Sequence, residues 1–599
     1  MGRAATGTAL VAAALVGASA AATLHRWSPP PSADVARGTE EAFAEGLHRR
    51  ELPPRQAPLR WTTDRVTFAF DRLPTGEAEL EVALAGHHGP VIVAADGVIV
   101  GVLPRGSTDG RFPLTSTGRR SRTVQLEVPV FVGGDGRRLG ARLQRVSVRP
   151  RDRGAPGLAL LALFAAPAVL AAAVGRRSGL RPCAALAFGC VVTAVHAGIL
   201  WPSGLVRSPY AARLSILIAV GLIAAALFAS WVERRSSGAG RWALIAMTAV
   251  WLVQGLLATS PMMIVSDAVF HANILARVAG GELFPTSVTQ HATPFRFPYG
   301  VSFYAALAPL LRAGIDGVAL VRVGAAVAGV LASAALFLVL LRGYGAAAAG
   351  LAVVLLQTLP ATFDVAYSYG NLSNAFGQSA TVGFFAWWAG AAPGGWAAGA
   401  FLLATAALAH FSSLIVAVAL VAALAVGRRH DIGRDRVRRA ALVAGLAVAA
   451  AYYAHHVGLM VSQLPRLLEA GGRGTAEAPG VLAGARDQVA GAALGWGLAA
   501  IALAWFGRPS WRNGTGIDRD LAWWWIGAGV LALPAIVSPL EVRYLYALAP
   551  ALAAAAGRGA IALHARGGFR RALAWALVAV QAVTGSLNLA EAVFVRYRP

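Results

Sequence analysis

Residues 242–271 read WALIAMTAVWLVQGLLATSPMMIVSDAVFH. The run from Trp242 to Val265 is almost entirely apolar, and as a helix it is long enough to cross the hydrocarbon core of a bilayer. Asp267 follows after one serine, and His271 lies four residues further on, which on a helix places both side chains on one face. A carboxylate at the end of a membrane span is costly, so Asp267 is the first candidate for a functional residue.

The rest of the chain repeats this apolar pattern. It has 599 residues, of which 57% are hydrophobic and only 14% charged, and it contains no lysine. We predict a polytopic α-helical membrane protein with about 14–15 spans. The net charge of +24 comes from arginines in short clusters between apolar runs, as topology signals are. This distribution argues against nucleic-acid binding, and arginine without lysine is typical of a GC-rich bacterial genome.

The chain divides into three predicted parts. Residues 1–26 contain an apolar segment that follows Arg3. We interpret residues 1–26 as a signal anchor or as a cleaved signal peptide. Residues 157–599 form the multi-spanning membrane domain, and within it the loop 266–317 is too long for a simple turn. A short apolar segment of this loop, 301–311, predicts an interfacial helix. Long structured loops are usually functional, so we expect the site there.

A third, polar part lies between these two, at residues 55–153. Apolar and polar residues alternate over 78–84 and again over 124–128, as they do in half-buried strands. Asp96-Gly97 between two apolar runs predicts a hairpin turn. We therefore predict a small all-β sandwich or jelly roll, whose role as a carbohydrate-binding, structural or docking domain stays open.

The arginine clusters also predict the orientation of the chain. Beyond residues 1–26, the predicted spans are roughly 157–174, 183–200, 210–231, 242–265, 318–341, 346–362, 374–390, 395–409, 412–427, 439–454, 489–506, 521–537, 543–561 and 572–590. Loops rich in arginine lie in the cytoplasm. Alternating the spans between them places the β domain and Asp267 on the extracytoplasmic face of a bacterial cytoplasmic membrane.

The polar residues on this outer face form a short set. They include Asp267, His271, Tyr299, Asp364, Tyr367, Tyr369, Asn371, Asn374, His410 and Arg543. Aromatic, amide and acidic side chains suit a sugar or a lipid-linked substrate, and arginine suits phosphate. This composition predicts a site for a sugar carried on a polyprenyl phosphate.

Such a substrate assigns a role to each candidate. An acceptor hydroxyl must lose a proton as it attacks the anomeric carbon, and Asp267 fits that base. The departing phosphate needs positive charge, from Arg543 or from a divalent cation. His271 could orient Asp267, join a metal site or contact phosphate. The alternatives are that Asp267 caps a helix and that Arg543 pairs with Glu541.

Short motifs around these residues resemble one family. They are Asp267 at the end of a span, Phe270-His271, Gly-Gly-Glu-Leu-Phe-Pro at 280–285, Phe-Pro-Tyr-Gly at 297–300, Ala-His-Phe-Ser at 409–412 and Arg543-Tyr544. Together they resemble the GT-C superfamily of membrane glycosyltransferases, and most closely the bacterial integral membrane proteins labelled 6-pyruvoyl-tetrahydropterin-synthase-related. The resemblance covers about residues 240–560.

The resemblance implies an activity and its residues. It implies an inverting enzyme that takes a sugar from a polyprenyl-phosphate carrier and transfers it to a glycan, lipid or protein acceptor of the cell envelope. The catalytic aspartate would be Asp267 and the phosphate-contacting arginine Arg543. Ser266 stands where relatives carry a second acid, which leaves a divalent cation undecided. A transporter or flippase of envelope lipids and a non-catalytic envelope protein of the same fold are the alternatives.

Overall fold

The structure of the protein is a computed structural model. It describes residues 2–51, 59–134, 136–152, 154–263, 265, 267–288, 296–363, 367, 370–390, 394–429, 435–476, 497–509, 516–537 and 544–594. The chain forms two compact units, the first of residues 1–230, 260–263 and 590–599, the second of residues 231–259 and 264–589. The first unit contains the β domain, and the second contains most of the predicted site residues.

The β domain is built on one antiparallel sheet. The strands are β1 (Ser32–Asp34), β2 (Ala44–Glu51), β3 (Leu59–Phe70), β4 (Ala78–Gly86), β5 (Val91–Ala95), β6 (Val98–Leu103), β7 (Asp109–Leu114), β8 (Arg122–Glu127), β9 (Phe131–Val132), β10 (Arg138–Leu139) and β11 (Arg142–Pro150). The order in the sheet is β6-β5-β8-β3-β11-β4-β7, with β1 on β11 and β2 on β3. Strands β9 and β10 pair separately with each other.

This sheet curls into a nearly closed barrel, whereas we had predicted two packed sheets. Register shifts between β2 and β3 and between β4 and β11 bend the sheet. The edge strands β6 and β7 come together because Gly101 leaves room for the ring of Phe112: a Cβ on this glycine would lie 2.4 Å from that ring. Alternation predicts a buried face for each strand but not whether one sheet closes or two sheets pack.

The predicted hairpin is confirmed. Strands β5 and β6 pair across Asp96 and Gly97, whose φ angles of 52° and 83° are those of the turn that suits a two-residue hairpin. The Asp96 carboxylate accepts hydrogen bonds from the Arg122 guanidinium at 2.7 Å and from the Thr123 N–H at 2.9 Å. These contacts fix the turn to the neighbouring strand β8.

Four helices lie wholly or mostly in the first unit. They are α1 (Gly2–Trp27), α2 (Leu158–Arg177), α3 (Pro182–Leu200) and α4 (Pro209–Arg235). Helix α1 packs closely on α2 because Gly17 faces the backbone of Ala165, which a Cβ would approach to 2.6 Å. Small residues allow this close packing in membrane helices.

The second unit is helical. Its helices are α5 (Gly240–Thr259), α6 (Ala268–Ala279), α7 (Ser302–Arg312), α8 (Gly317–Gln357), α9 (Pro360–Phe363), α10 (Leu372–Trp388), α11 (Trp396–Ala407), α12 (Phe411–Gly427), α13 (Arg436–His455), α14 (Val457–Ala476), α15 (Leu498–Phe506), α16 (Gly516–Val537), α17 (Leu545–Ala565) and α18 (Gly568–Phe594). A short hairpin of β12 (Thr286–Val288) and β13 (Arg296–Pro298) lies between α6 and α7.

Nine helices in the described ranges are long and apolar enough to cross a membrane. They are α1, α2, α3, α4, α5, α8, α13, α17 and α18. The protein is thus a multi-pass membrane protein, as predicted, but this number is below the 14–15 spans that we expected. One reason is α8, which includes the predicted span 318–341 and residues 346–357 of the predicted span 346–362, and which breaks at Gly345, where φ is 81°. Another is that α10, α11 and α12 have only 17, 12 and 17 residues.

The described parts of the loop predicted at 266–317 contain two helices and a short hairpin. Helix α5 ends at Thr259, before Ser260-Pro261, and not at Val265. Helix α6 then begins after Asp267, and α7 corresponds to the predicted interfacial helix. Helix α7 buries Phe303 and Tyr304, so this face belongs to the protein interior.

Candidate functional site

Asp267 occupies the N-cap position of helix α6. Its backbone carbonyl accepts the first helical hydrogen bond, from the His271 N–H at 2.9 Å, but its side chain makes no capping bond. A capping aspartate would accept a bond from the second or third N–H of the helix. The capping alternative therefore does not account for this carboxylate.

The surroundings of Asp267 alter its acidity. The residue is exposed, yet the protein around the carboxyl group removes part of its hydration, which raises the pKa of Asp267 above its usual range. No ion pair or hydrogen bond within the described part of the chain acts on this pKa in the opposite direction. A carboxylate in such surroundings is a stronger base than an ordinary surface aspartate.

Gly370 forms one wall beside Asp267. A Cβ on this glycine would lie 2.6 Å from Asp267 Cβ and 3.0 Å from its Cγ. The φ angle of Gly370 is 68°, in the left-handed region that favours glycine. Only glycine therefore satisfies both the space and the backbone at this position, which lies in the predicted second outer loop.

His271, on helix α6, forms a hydrogen bond to Gly370. The side chain is only 1% exposed. Its Nε2 lies 2.7 Å from the Gly370 carbonyl oxygen, and its Nδ1 lies 2.7 Å from the Tyr304 hydroxyl. A carbonyl only accepts, so Nε2 carries the proton, and Nδ1 then accepts from the tyrosine. Both ring nitrogens are thus bonded within the protein, and neither is left for a metal ion or a phosphate in this conformation.

The protonation states fit this arrangement. Burial lowers the pKa of His271 to about 4, although the bond to Gly370 acts in the opposite direction. Burial, together with the Tyr299 hydroxyl and the Asp267 carboxylate, raises the pKa of Tyr304 well above its usual range. At neutral pH the imidazole is therefore neutral and the phenol protonated, as the two hydrogen bonds require.

Tyr299 and His410 form an aromatic wall with Phe270. The Tyr299 ring centroid lies 5.2 Å from that of Phe270 and 5.4 Å from that of His410, both edge to face. The backbone of Tyr299 is held on both sides, by the Pro285 carbonyl at 2.9 Å and by the Tyr452 hydroxyl at 2.6 Å. Tyr299 is half-buried, so part of its surface can contact a ligand.

The glycine of the Phe-Pro-Tyr-Gly motif packs against the end of helix α11. A Cβ on Gly300 would lie 2.4 Å from the Leu408 carbonyl oxygen. The next residues bond to the same helix end, since the Ser302 N–H donates to that carbonyl at 3.0 Å and its hydroxyl donates to the Thr405 carbonyl at 2.8 Å. The motif is therefore explained by close packing that brings Tyr299 next to His410.

His410 is also the N-cap of helix α12. Its Nδ1 accepts from the Ser412 N–H at 3.0 Å, and its own N–H donates to the Ser413 hydroxyl at 3.0 Å. This reciprocal pair is a capping box. It fixes the ring orientation and leaves the ring edge against Tyr299.

The other predicted site residues have different locations. Asn371 is half-buried beside Gly370, at the start of α10. Asn374 is buried, and its side-chain oxygen accepts from Gln378 at 3.3 Å. Asp364, Tyr369 and Arg543 lie outside the described residues. The described residues bring Asp267, His271, Tyr299, Asn371 and His410 to one region, whereas Asn374 faces the interior.

Two residues of the site were missed in the sequence. Tyr304 is 33 positions from its partner His271, and no spacing rule connects them. Gly370 stands between two polar residues, Tyr369 and Asn371, and a glycine just before a helix start is a usable signal for a close backbone approach. Both residues act through contacts that only the fold creates.

A second polar region lies deeper in the helical unit. Tyr367, predicted on the outer loop, is buried, and its hydroxyl donates to Gln254 at 3.1 Å. Gln254 donates to Gln357 at 3.1 Å, and Gln357 donates to Ser333 at 3.2 Å. Gln254, Gln357 and Ser333 line a cavity of about 30 Å³, which has room for one or two water molecules.

The sequence does not decide whether a divalent cation binds near Asp267. Among the described residues, no three histidine, cysteine or acidic side chains are grouped as metal ligands. A divalent cation held by Asp267 with substrate phosphate stays a prediction. So does Arg543 as the phosphate clamp.

Comparisons with known proteins return no relative. No family model, no curated protein and no solved structure matches this chain. The likeness of its motifs to the GT-C superfamily therefore stays an expectation, and the geometry around Asp267 is the ground for assigning a function.

Proposed function

We propose that the protein is an inverting GT-C-type glycosyltransferase that moves a sugar from a polyprenyl phosphate to a cell-envelope acceptor. The observation that supports this proposal is the state of Asp267. Its carboxylate is exposed at a helix start, makes no capping bond, and is fixed beside Gly370. A multi-pass membrane protein that keeps such a group outside its long apolar helices has a base suited to a lipid-linked substrate.

The proposed reaction is a single displacement. The acceptor hydroxyl oxygen bonds to the anomeric carbon while its proton passes to the Asp267 carboxylate. The bond between that carbon and the phosphate oxygen breaks, and the polyprenyl phosphate leaves with the electron pair. A positioned general base contributes about 10²–10⁴-fold to such a step. The raised pKa of Asp267 favours proton transfer to it.

The aromatic wall suits the sugar. The half-buried Tyr299, held edge to face between Phe270 and His410, offers an apolar surface to the C–H groups of a pyranose or furanose ring. Asn371 lies beside Gly370, and an amide is a group that both donates and accepts hydrogen bonds. Apolar contact with a few directed polar groups is the usual composition of a small-ligand site.

Orientation and phosphate binding are part of the same proposal. The arginine clusters support a location of Asp267 and of the β domain on the outer side of the bacterial cytoplasmic membrane. Arg543, or a divalent cation held by Asp267 together with the substrate phosphate, would neutralise the departing phosphate. Reaction of cysteine variants with a membrane-impermeant reagent tests the first point: a cysteine at exposed Val98 of the β domain should be labelled in intact cells, with Cys183 and Cys190 replaced by alanine.

The central experiment compares two aspartates at helix starts. Wild type, Asp267→Asn and Asp316→Asn are purified and reconstituted with a panel of radiolabelled polyprenyl-phosphate sugars and envelope extract as acceptor. Asp316 caps helix α8 through its side chain, accepting from the Ala319 N–H at 2.8 Å, and asparagine caps equally well. The Asp316→Asn variant therefore controls for loss of one negative charge near the same loop.

We expect glycoside formation by wild type and by Asp316→Asn, and a loss of at least about 10²-fold in Asp267→Asn. Equal transfer by Asp267→Asn at equal protein level would remove Asp267 as the base. Movement of donor between leaflets without a new glycoside would instead indicate a flippase. No reaction of any donor with wild type would favour the non-catalytic alternative.

A further inference from the structure

His271, Tyr304 and Gly370 join three separate segments near Asp267. His271 lies on α6, one turn after the aspartate, Tyr304 lies on α7, and Gly370 precedes α10. The imidazole bonds to both other residues at 2.7 Å. The three segments are therefore tied together at one buried ring.

We propose that this ring is a positioning device: His271, oriented by Tyr304, holds the Gly370 backbone against Asp267 and so sets the direction of the carboxylate. The proposal rests on Asp267 being the base of the proposed glycosyl transfer. It assigns His271 and Tyr304 to geometry and not to contact with the substrate. The sequence alone had left orientation, metal binding and phosphate contact open for His271.

The argument for positioning begins with the contact between Gly370 and Asp267. The glycine approaches so closely that a Cβ would lie 2.6 Å from Asp267 Cβ and 2.7 Å from the Asp267 nitrogen. A small displacement of Gly370 therefore changes the space that is open to the carboxylate. The Gly370 carbonyl accepts hydrogen bonds from the Leu372 N–H at 2.8 Å and from His271 Nε2 at 2.7 Å, and of these two donors only His271 lies on another segment of the chain.

The second step concerns the direction of the two hydrogen bonds. The Gly370 carbonyl requires a proton on Nε2, which leaves Nδ1 as an acceptor for the Tyr304 hydroxyl. The tyrosine thus selects the tautomer that can bind Gly370, as a hydrogen bond to one ring nitrogen of histidine generally decides the state of the other. Tyr304 is itself fully buried, which keeps its hydroxyl from exchanging this partner for water.

The third step is that His271 is poorly placed for proton transfer. It is 1% exposed, and both nitrogens are already bonded. A group that exchanges a proton with substrate must reach it directly or through one water. Orientation of Asp267 is the role that this geometry leaves for the imidazole.

Four variants separate positioning from packing. His271→Gln keeps one N–H donor and one acceptor oxygen close to the two ring nitrogens, whereas His271→Phe keeps the ring shape and removes both bonds. Tyr304→Phe removes the hydroxyl that selects the tautomer. Tyr453→Phe is the matched control, because it removes another buried hydroxyl, which donates to the Ala407 carbonyl at 3.2 Å.

The first readout is kinetic. We expect His271→Phe and Tyr304→Phe to lower kcat by about 10²-fold with little change in KM, since misplacement by about 1 Å costs that much. His271→Gln should recover most of the rate and keep the pH profile of wild type. A profile that loses a limb in His271→Gln would show that His271 exchanges protons, and the proposal would fail. Equal rates in Tyr304→Phe and Tyr453→Phe would also contradict it.

The second readout does not depend on glycosyl transfer. A single cysteine is placed by Asp267→Cys in a background with Cys183→Ala and Cys190→Ala, and its rate of alkylation by iodoacetamide is measured. We expect at least about a threefold change of this rate in His271→Phe and in Tyr304→Phe, and little change in His271→Gln or Tyr453→Phe, because only lost orientation alters access to position 267. Unchanged alkylation in His271→Phe would reject positioning, whereas absence of transfer with a changed alkylation rate would reject only the proposed function.

Discussion

Two groups of carboxylates in the helical unit show opposite solutions to the cost of a charge. Asp520, at the start of α16, is 1% exposed and receives a two-pronged hydrogen bond from Arg428. Asp518 is also buried and is bonded by Tyr344 and Arg558. Asp267, at the start of α6, has neither a cation nor a capping bond from the described residues.

The difference separates structural acids from a candidate functional one. Asp518 and Asp520 join α16 to α8, α12 and α17 through their partners, so their charge is used within the fold. Buried charges persist in proteins when they are paired. Asp267 is held in place by packing and by a buried histidine instead, and its charge stays available to a ligand. This contrast makes four measurable predictions about stability.

The largest effect is expected at the paired acids. Asp520→Asn removes the negative charge that Arg428 contacts on α16, and breaking a buried pair on one side costs about 3–5 kcal/mol. Unfolding in mixed micelles, followed by tryptophan fluorescence, should show this loss. The double variant Asp520→Leu/Arg428→Leu should recover much of it, because the carboxylate and the guanidinium are then removed together. A loss below about 1 kcal/mol in Asp520→Asn would mean that this acid is no more structural than Asp267.

The next effect is linked to pH and arises near Asp267. The pKa of His271 is about 4 in the folded protein and about 6.5 in an unfolded chain. Between these values the unfolded chain binds a proton that the folded protein does not, so stability falls as the pH is lowered through this window. The loss amounts to about 3 kcal/mol at pH 4. His271→Gln should lack this part of the acid sensitivity, and an unchanged pH dependence in that variant would contradict a neutral, buried imidazole.

Much of the architecture could be predicted from local pattern. The alternation at 78–84 and 124–128 and the Asp96-Gly97 turn gave strands and a hairpin that the structure contains. The long apolar runs gave a multi-pass helical unit. Such features depend on residues close in sequence, where side-chain period and turn preference decide the structure.

What could not be predicted depends on contacts between distant residues. Closure of the β sheet depends on Gly101 meeting Phe112 across two edge strands. The helix α14 was missed because its sequence is too polar to be identified as a span. In the site, Asp267 was found as a charge out of place, but its contact with Gly370 and the bond from His271 to Tyr304 arise from three segments meeting.

A smaller effect is expected at the other helix start of this loop. Asp316 caps α8 by accepting from the Ala319 N–H, and replacement of a capping aspartate by alanine costs about 1 kcal/mol. Asp316→Ala should therefore be destabilised by about this amount, whereas Asp316→Asn should be close to wild type. Equal stability of the two variants would show that the cap does not contribute.

The smallest effect is expected at Asp267 itself. Its carboxylate forms no capping bond, and its pKa is raised by loss of hydration. A raised pKa means that the folded protein holds the proton more tightly than the unfolded chain does. The folded state is therefore favoured most at pH values below the unfolded pKa, and this advantage is lost as the pH rises through the folded pKa.

At neutral pH the charge does not stabilise the fold, so Asp267→Asn should leave the free energy of unfolding within about 0.5 kcal/mol of wild type, or raise it. Unfolding of the two proteins under identical conditions, beside the transfer assay, decides the point: a destabilisation comparable to that of Asp520→Asn would place Asp267 among the structural acids and leave the proposed base without support.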